Sequence, residues 1–261
     1  GKQANFKNTT GTNNSSLGTL ALKCNTTGAN NVAVGRDSLA ANTTAAGNTA
    51  VGLSALLSNT TGANNVGLGL LSLAANTTAA DNTAVGACAM CKNTEGHSNV
   101  AVGHCALFTN TGGDTNTAVG HHALKLNTTA ADNTGIGRNA LCTTTTGCVN
   151  TAMGSSAMQL NTTGDGNVAI GGSTLFNNTT ADNNTAIGST AMVDNTTGAN
   201  NTAAGYAALA NNTEGTQNVA LGANALFTVT TGSYSTAIGN NALYAQTTGA
   251  NNVAVGRTAG A

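Results

Sequence analysis

The pentapeptide Asn48-Thr49-Ala50-Val51-Gly52 recurs, with small changes, every seventeen residues along the chain. Its closing glycine is found at residues 18, 35, 52, 69, 86, 103, 120, 137, 154, 171, 188, 205, 222, 239 and 256, with no insertion or deletion between them. Self-similarity at a fixed period of about this length is typical of stacked repeat proteins. We number the repeat so that Asn48 is position 1 and Asn64 is position 17.

The composition excludes several classes of protein. Charged residues make up 7% of the chain and aromatic residues 3%, whereas about 25% of a typical soluble domain is charged. The net charge of −1 provides no basic surface for nucleic acid or for an anionic membrane. No apolar run is long enough to span a bilayer, and the low charge argues against disorder. A chain this rich in Asn, Thr, Gly and Ala is typical of a fibrous or solenoid protein.

Positions 2 to 4 predict a short β-strand in each repeat. Position 2 is Thr, Val or Ser and position 4 is almost always aliphatic, and β-branched residues pack well on a pleated surface. Position 3 holds only Ala, Gly or Ser. Because successive strand residues face opposite sides, we expect positions 2 and 4 to pack against one surface and position 3 against another. A glycine in every repeat and the Asn-Thr-Thr runs oppose a helix.

Position 9 is Leu or Met in every complete repeat and predicts the main core residue. Charged residues occur only at positions 6, 7, 10, 11, 14, 16 and 17. An unpaired buried charge is too costly to tolerate, so the uncharged positions are expected to be interior, interface or tight turn. The expected core ladder contains Val51, Leu56, Leu73, Val85 and Leu107. The expected structural glycines include Gly52, Gly69, Gly86, Gly103 and Gly120.

The pattern therefore predicts an all-β fold, a parallel β-solenoid with one seventeen-residue coil per rung and about fifteen rungs. Recurrent Asn at positions 1 and 12 predicts amide ladders along the axis. Asn-Thr-Thr also matches an N-glycosylation acceptor. However, glycans on rungs about 4.7–4.9 Å apart would collide, which favours the structural interpretation. The nine matching residues are Asn8, Asn25, Asn42, Asn59, Asn76, Asn127, Asn161, Asn178 and Asn195.

Cysteine and histidine coincide in one part of the array. Cys88, Cys105 and His122 occupy position 7 of consecutive repeats, while His104 and His121 occupy position 6. Sulfur and nitrogen ligands of this kind could hold zinc or copper; the alternative is that these are unpaired polar surface residues. The lone Cys88-x-x-Cys91 motif lacks the second pair that a metal finger needs. We expect no other cofactor.

Catalytic patterns are missing from the sequence, so we expect the protein not to be an enzyme. No Ser-His-Asp order has a supporting motif, and no carboxylate pair stands out. Position 10 carries aromatic residues that are candidates for a lateral contact, although a half-exposed position is the simpler interpretation. The residues concerned are Phe108, Phe176, Phe227 and Tyr244.

With Asn-Thr-Ala-Val-Gly and Ala-Leu-x-x-Asn-Thr-Thr-Gly repeated along essentially the whole chain, the sequence resembles the head repeats of YadA-like trimeric autotransporter adhesins. It is still more similar to the seventeen-residue repeats of bacterial surface fibres and phage tail-fibre-like proteins. The resemblance implies a left-handed parallel β-roll, often packed as a homotrimer, that serves as a fibre shaft or adhesive head. The unit is longer than that of the adhesin head, and no neck, stalk or membrane anchor is visible.

We therefore expect residues 1–261 to form a single uncapped array, as a segment of a longer fibre or as a filament subunit. The predicted function is a structural filament, extracellular or at the cell surface, that associates laterally or end to end, with adhesion as an added role. Its expected partners are copies of itself, as a homotrimer or filament, and host or surface ligands, but neither nucleic acid nor a membrane. The alternative is an ice-binding solenoid, suggested by the Thr at position 13 of each repeat.

Overall fold

The computed structural model describes residues 1–260 and confirms a parallel β-solenoid with a seventeen-residue repeat. Positions 2 to 4 of each repeat form a three-residue strand. The strands are β1 (Ser15–Leu17), β2 (Val32–Val34), β3 (Thr49–Val51), β4 (Val66–Leu68), β5 (Thr83–Val85), β6 (Val100–Val102), β7 (Thr117–Val119), β8 (Thr134–Ile136), β9 (Thr151–Met153), β10 (Val168–Ile170), β11 (Thr185–Ile187), β12 (Thr202–Ala204), β13 (Val219–Leu221), β14 (Thr236–Ile238) and β15 (Val253–Val255). Residues 1–260 contain no helix, and hence none that could cross a membrane.

Neighbouring coils pair in parallel and in register. The chain divides into two compact units, Gly1–Ala131 and a second that begins at Asp132. Strands β1 to β7 lie side by side in chain order in the first unit, and β8 to β15 do so in the second. Each strand residue pairs with the residue seventeen places later, as Ala50 does with Gly67. Each repeat position therefore becomes a column of like side chains spaced about 4.7–4.9 Å apart.

The interior of each coil is thin, because position 3 packs directly on positions 8 and 9. A Cβ built on Gly67, at position 3, would lie 3.1 Å from Ser72 Oγ and 3.4 Å from Leu56 Cγ. This proximity explains why position 3 never exceeds a small side chain. Leu56, Leu73 and Leu107 are completely buried in this layer.

Positions 2 and 4 point away from the leucine layer, contrary to the sequence prediction for Val51 and Val85. Val51 is 39% exposed and Val85 is half-buried, so neither belongs to the core ladder. The physical reason is strand alternation: position 3 faces the leucine of position 9, and its neighbours must face outward. We call the outward surface formed by positions 2 and 4 the strand face.

Three left-handed residues in most coils turn the chain around this thin core. Positions 7, 9 and 17 hold non-glycine residues with positive φ, for example Ser54 (56°), Leu56 (51°) and Asn64 (59°). Asn adopts this conformation readily. For a leucine, the left-handed conformation costs about 1–2 kcal/mol. Complete burial of that leucine stabilises the fold by about 1.5–3 kcal/mol, which offsets the strain.

Glycine at position 5 is required by both backbone conformation and space. Gly52 has φ of 139°, and a Cβ on it would lie 2.4 Å from the carbonyl oxygen of Gly69. Gly69, Gly86 and Gly103 meet the next coil in the same way, and Gly120 has φ of 131°. The conformation and the clash together leave no room for a side chain at this position.

Two buried asparagine ladders bind the coils together. At position 12, Asn59 Nδ2 donates to Asn42 Oδ1 at 3.0 Å and to the carbonyl of Gly62 at 2.9 Å. At position 1, the Asn48 backbone N–H donates to Asn31 Oδ1 at 3.0 Å, and Asn48 Nδ2 donates to the same Gly62 carbonyl at 3.0 Å. Both ladders therefore converge on the position-15 carbonyl and satisfy polar groups that burial would otherwise make costly.

These ladders explain the Asn-Thr-Thr runs without glycosylation. Eight of the nine acceptor-like asparagines are completely buried, and Asn8 is half-buried. The chain also shows what happens when a residue of the ladder is replaced. Val229 stands at position 12 in place of asparagine and has no amide to donate. The Oδ1 of Asn212, one coil earlier, is left buried without a hydrogen-bond partner.

Candidate functional site

The candidate site is the cysteine and histidine patch on the first unit. Its residues follow strands β5, β6 and β7, in the turn that begins after the position-5 glycine. Cys88, Cys105 and His122 all adopt the left-handed conformation of position 7. The Cys105 backbone N–H donates to the carbonyl of Ala87 at 3.0 Å, and that of His122 donates to the carbonyl of His104 at 3.1 Å. Backbone stacking therefore fixes the column in which these side chains lie.

Three of the five predicted ligands come within reach of one metal ion. The ligand atoms of His104, Cys105 and His122 all lie within 4.8 Å of one another. Cys105 Sγ lies 3.6 Å from a ring nitrogen (Nε2) of His104. The group is on the surface, with His104 exposed and the other two half-buried.

The other two predicted ligands lie beside this group. The ring of His121 stacks on that of His104 with centroids 5.4 Å apart, and its centroid is 3.6 Å from that of His122. The Cys88 thiol interacts with the thiols of Cys105 and Cys91, and all three thiols are free of disulfides. Cys91 also belongs to this cluster, although the sequence did not predict it as a ligand. Its position three residues after Cys88 is the sequence feature that could have indicated this.

The local environment disfavours charge on the thiols of Cys91 and Cys105 and on the imidazole of His122. Burial raises the pKa of Cys105, with the neighbouring Cys88 thiol adding to the effect and Lys125 opposing it. Burial, followed by Cys88, likewise raises the pKa of Cys91. The pKa of His122 falls below its ordinary 6.5, first through burial and then through His121, Lys125 and His104. At neutral pH, His122 is therefore an uncharged imidazole with a lone pair available for a metal.

The position-10 aromatic residues do not form one continuous edge. Phe227 and Tyr244 stack in parallel with centroids 5.2 Å apart, whereas the Phe108 ring is covered by the ammonium group of Lys92 at 5.2 Å. Phe176 is half-buried. Their role as a lateral contact remains a prediction.

The strand face forms a second candidate functional surface. In the second unit its position-4 column runs through Ile170, Ile187, Leu221 and Ile238, all of them exposed apolar residues. No charged residue occurs at position 2 or position 4 of any repeat. The column is interrupted only by the smaller, half-buried Ala204, and exposed apolar side chains grouped in this way are a feature of protein interaction sites.

The threonine columns differ in what their hydroxyl groups do. At position 13, Thr43 donates its hydroxyl to the carbonyl of Thr60 at 3.1 Å, and Thr60 donates to that of Thr77 at 3.0 Å. These hydroxyls therefore hold successive coils together. At position 14, residues such as Thr61 and Thr78 are exposed.

The chain matches no protein-family model, no curated protein sequence and no solved structure to which it was compared. The resemblance to adhesin-head and fibre repeats is therefore supported only by the residues of the repeat, and remains a hypothesis.

Proposed function

We propose that this protein is a structural fibre element that associates with copies of itself. The observation that carries the proposal is the register of the coils: in most repeats a buried asparagine, leucine or position-5 glycine stacks on the same residue type seventeen places away. Most positions of the repeat therefore hold residues whose role is to stack one coil on the next. Extra stability from each added coil is the usual behaviour of stacked repeat arrays.

The strand face supports self-association rather than binding of an unrelated protein. Its position-4 column is apolar and partly exposed, its position-2 column alternates between Thr, Val and Ser, and neither column carries a charge. Its side chains recur at the coil spacing of about 4.7–4.9 Å. A second copy of this chain has the same spacing, so its columns can interdigitate along the whole length of contact. A partner with a different repeat would lose this match after a few coils.

We also propose that the protein lies outside the cell, packs as a trimer and has an adhesive role. These three proposals are supported by the resemblance of its repeat to those of adhesin heads and bacterial surface fibres. A regularly repeated coil with few charges and a closely packed interior suits a structural role as a shaft. Adhesion requires a surface ligand, for which the exposed tyrosines Tyr206 and Tyr234 provide amphipathic contact groups.

Assembly can be tested by electron microscopy together with light scattering. We expect the unmodified chain to form dimers or larger lateral assemblies, and Ile187→Lys on the strand face to abolish them. Ser189→Lys is the matched control, because position 6 already carries Arg36, Arg138 and Arg257 in other coils. Monodisperse monomers of the unmodified chain at high concentration would contradict the proposal, as would assembly that both variants leave intact.

Ice binding is the second candidate function. The observation favouring it is a column of exposed threonines at position 14 in five successive coils: Thr10, Thr27, Thr44, Thr61 and Thr78. Thermal hysteresis measurements test it directly. Replacing Thr44 by Glu, the residue found at this position in Glu95, should abolish hysteresis while leaving the fold intact; hysteresis that persists unchanged in the variant would exclude this column.

A further inference from the structure

We propose that His104, Cys105 and His122 form a Zn²⁺ site on the first unit, with water in the fourth coordination position. Zinc prefers a mixed set of thiolate and imidazole ligands, and three protein ligands leave one position open. The proposal concerns these side chains alone and does not depend on fibre assembly.

The separations between ligand atoms support tetrahedral coordination. With a Zn–S bond of about 2.3 Å and a Zn–N bond of about 2.0–2.1 Å, tetrahedral geometry separates sulfur from nitrogen by about 3.6 Å. Cys105 Sγ and His104 Nε2 are 3.6 Å apart. The remaining pairs lie within 4.8 Å and need to close by at most about 1.5 Å. Side-chain rotation can supply this movement, because the group lies at the surface.

The backbone places the three ligands without relying on a flexible loop. His104 and Cys105 are consecutive residues of one coil, and His122 lies at position 7 of the next coil, hydrogen-bonded through its backbone N–H to the carbonyl of His104 at 3.1 Å. A bound ion therefore joins two coils that are already in register. Metal bound to the folded chain and not to the unfolded chain stabilises the folded chain.

The protonation states set the pH dependence of binding. When Zn²⁺ binds, the S–H bond of Cys105 breaks, the proton passes to solvent, and the thiolate electron pair forms the Zn–S bond. His104 and His122 each donate a ring-nitrogen lone pair to the ion. The ionisable groups facing the site are Cys88, Cys91, His121 and Lys125. Between neutral pH and the pKa of the thiol, affinity should therefore rise about tenfold per pH unit, since one proton is released.

The chain itself supplies conservative substitutions for the test. Position 7 is Ser in Ser156 and Asn in Asn139, both with the same left-handed backbone, so Cys105→Ser and His122→Asn should preserve the fold. Two controls remove a thiol and an imidazole elsewhere. Cys24→Ser introduces the residue found at the same position in Ser58, and His97→Ala introduces that of Ala80.

Zinc affinity is measured by competition with a chromophoric chelator, with a phosphine reductant present to keep the thiols reduced. Co²⁺ titration then reports the ligands, since a thiolate–cobalt charge-transfer band appears only with sulfur coordination and intense d–d bands report tetrahedral geometry. We expect one equivalent of Zn²⁺, at least tenfold weaker binding in Cys105→Ser and His122→Asn, and unchanged binding in both controls. Circular dichroism confirms that each variant is folded.

Three outcomes would overturn the site. They are no stoichiometric zinc binding by the unmodified chain, an affinity of Cys105→Ser and His122→Asn equal to that of the unmodified chain, or cobalt spectra without a thiolate band. Self-association measured on the same samples separates this result from the fibre proposal, because the strand face contains none of the three ligands.

Discussion

Replacing Gly52 by alanine tests the closest contact between coils. Gly52 has φ of 139°, and an alanine Cβ would lie 2.4 Å from the carbonyl oxygen of Gly69 and 2.7 Å from its carbonyl carbon. The backbone conformation alone costs about 1–3 kcal/mol for a residue with a side chain. Relieving the clash requires the two coils to separate by about 1 Å, since ordinary contacts begin near 3.4 Å.

Separation of the coils adds the loss of neighbouring hydrogen bonds. The Gly69 N–H donates to the carbonyl of Val51 at 2.8 Å, and the Leu71 N–H donates to that of Leu53 at 3.0 Å. With about 1 kcal/mol for each bond, the total destabilisation is about 3–5 kcal/mol. Repeat arrays do not unfold as a single two-state unit, so the loss should be concentrated in the coils on either side of residue 52.

Hydrogen exchange followed by mass spectrometry measures this local loss. We expect amides between residues 51 and 71 to exchange at least about a hundredfold faster in Gly52→Ala, because 1.4 kcal/mol corresponds to a factor of ten. Gly112→Ala is the control. A Cβ there meets nothing within 4 Å, so the change should be neutral or stabilising by about 0.4–1 kcal/mol. Exchange in Gly52→Ala within threefold of the unmodified chain would refute the close-contact argument.

Two further predictions concern the asparagine ladder and the histidine cluster. Asn59→Val should lower the local free energy of opening by about 2–4 kcal/mol, because it leaves Asn42 Oδ1 and one N–H of Asn76 buried without partners. Hydrogen exchange of the amides around these residues measures this loss. The exposed change Thr61→Val is its control, and equal exchange rates for the two variants would contradict the ladder's energetic role. For His122 without metal, an NMR titration should give a midpoint below 6.5. Because the pKa of His122 is lower in the folded chain than in the unfolded chain, the folded state loses stability as the pH falls below 6.5, and above that value it does not. A midpoint above 6.5 would show that the imidazole is not desolvated as described.

The candidate metal site shows how much of a site can be predicted by assigning residues to stacked columns from the seventeen-residue period. Counting residues placed Cys88, Cys105 and His122 in one column and His104 and His121 beside it, and the stacked coils have that arrangement. Counting could not select His104, Cys105 and His122 as the compact group, because that depends on the side-chain rotamers in a crowded column. Counting also gave no reason to include Cys91, whose thiol interacts with that of Cys88.

The seventeen-residue period by itself determined the strand positions, the leucine layer and the asparagine ladders, because in-register stacking places every residue on its own equivalent. Only the tertiary structure decided which side of each strand faces the interior. Alternation separates positions 2 and 4 from position 3, but both sets are uncharged, so the sequence pattern is compatible with either side being buried. The left-handed turn at Leu56 settles the matter by folding the leucine onto position 3, which leaves Val51 and Val85 on the outer surface.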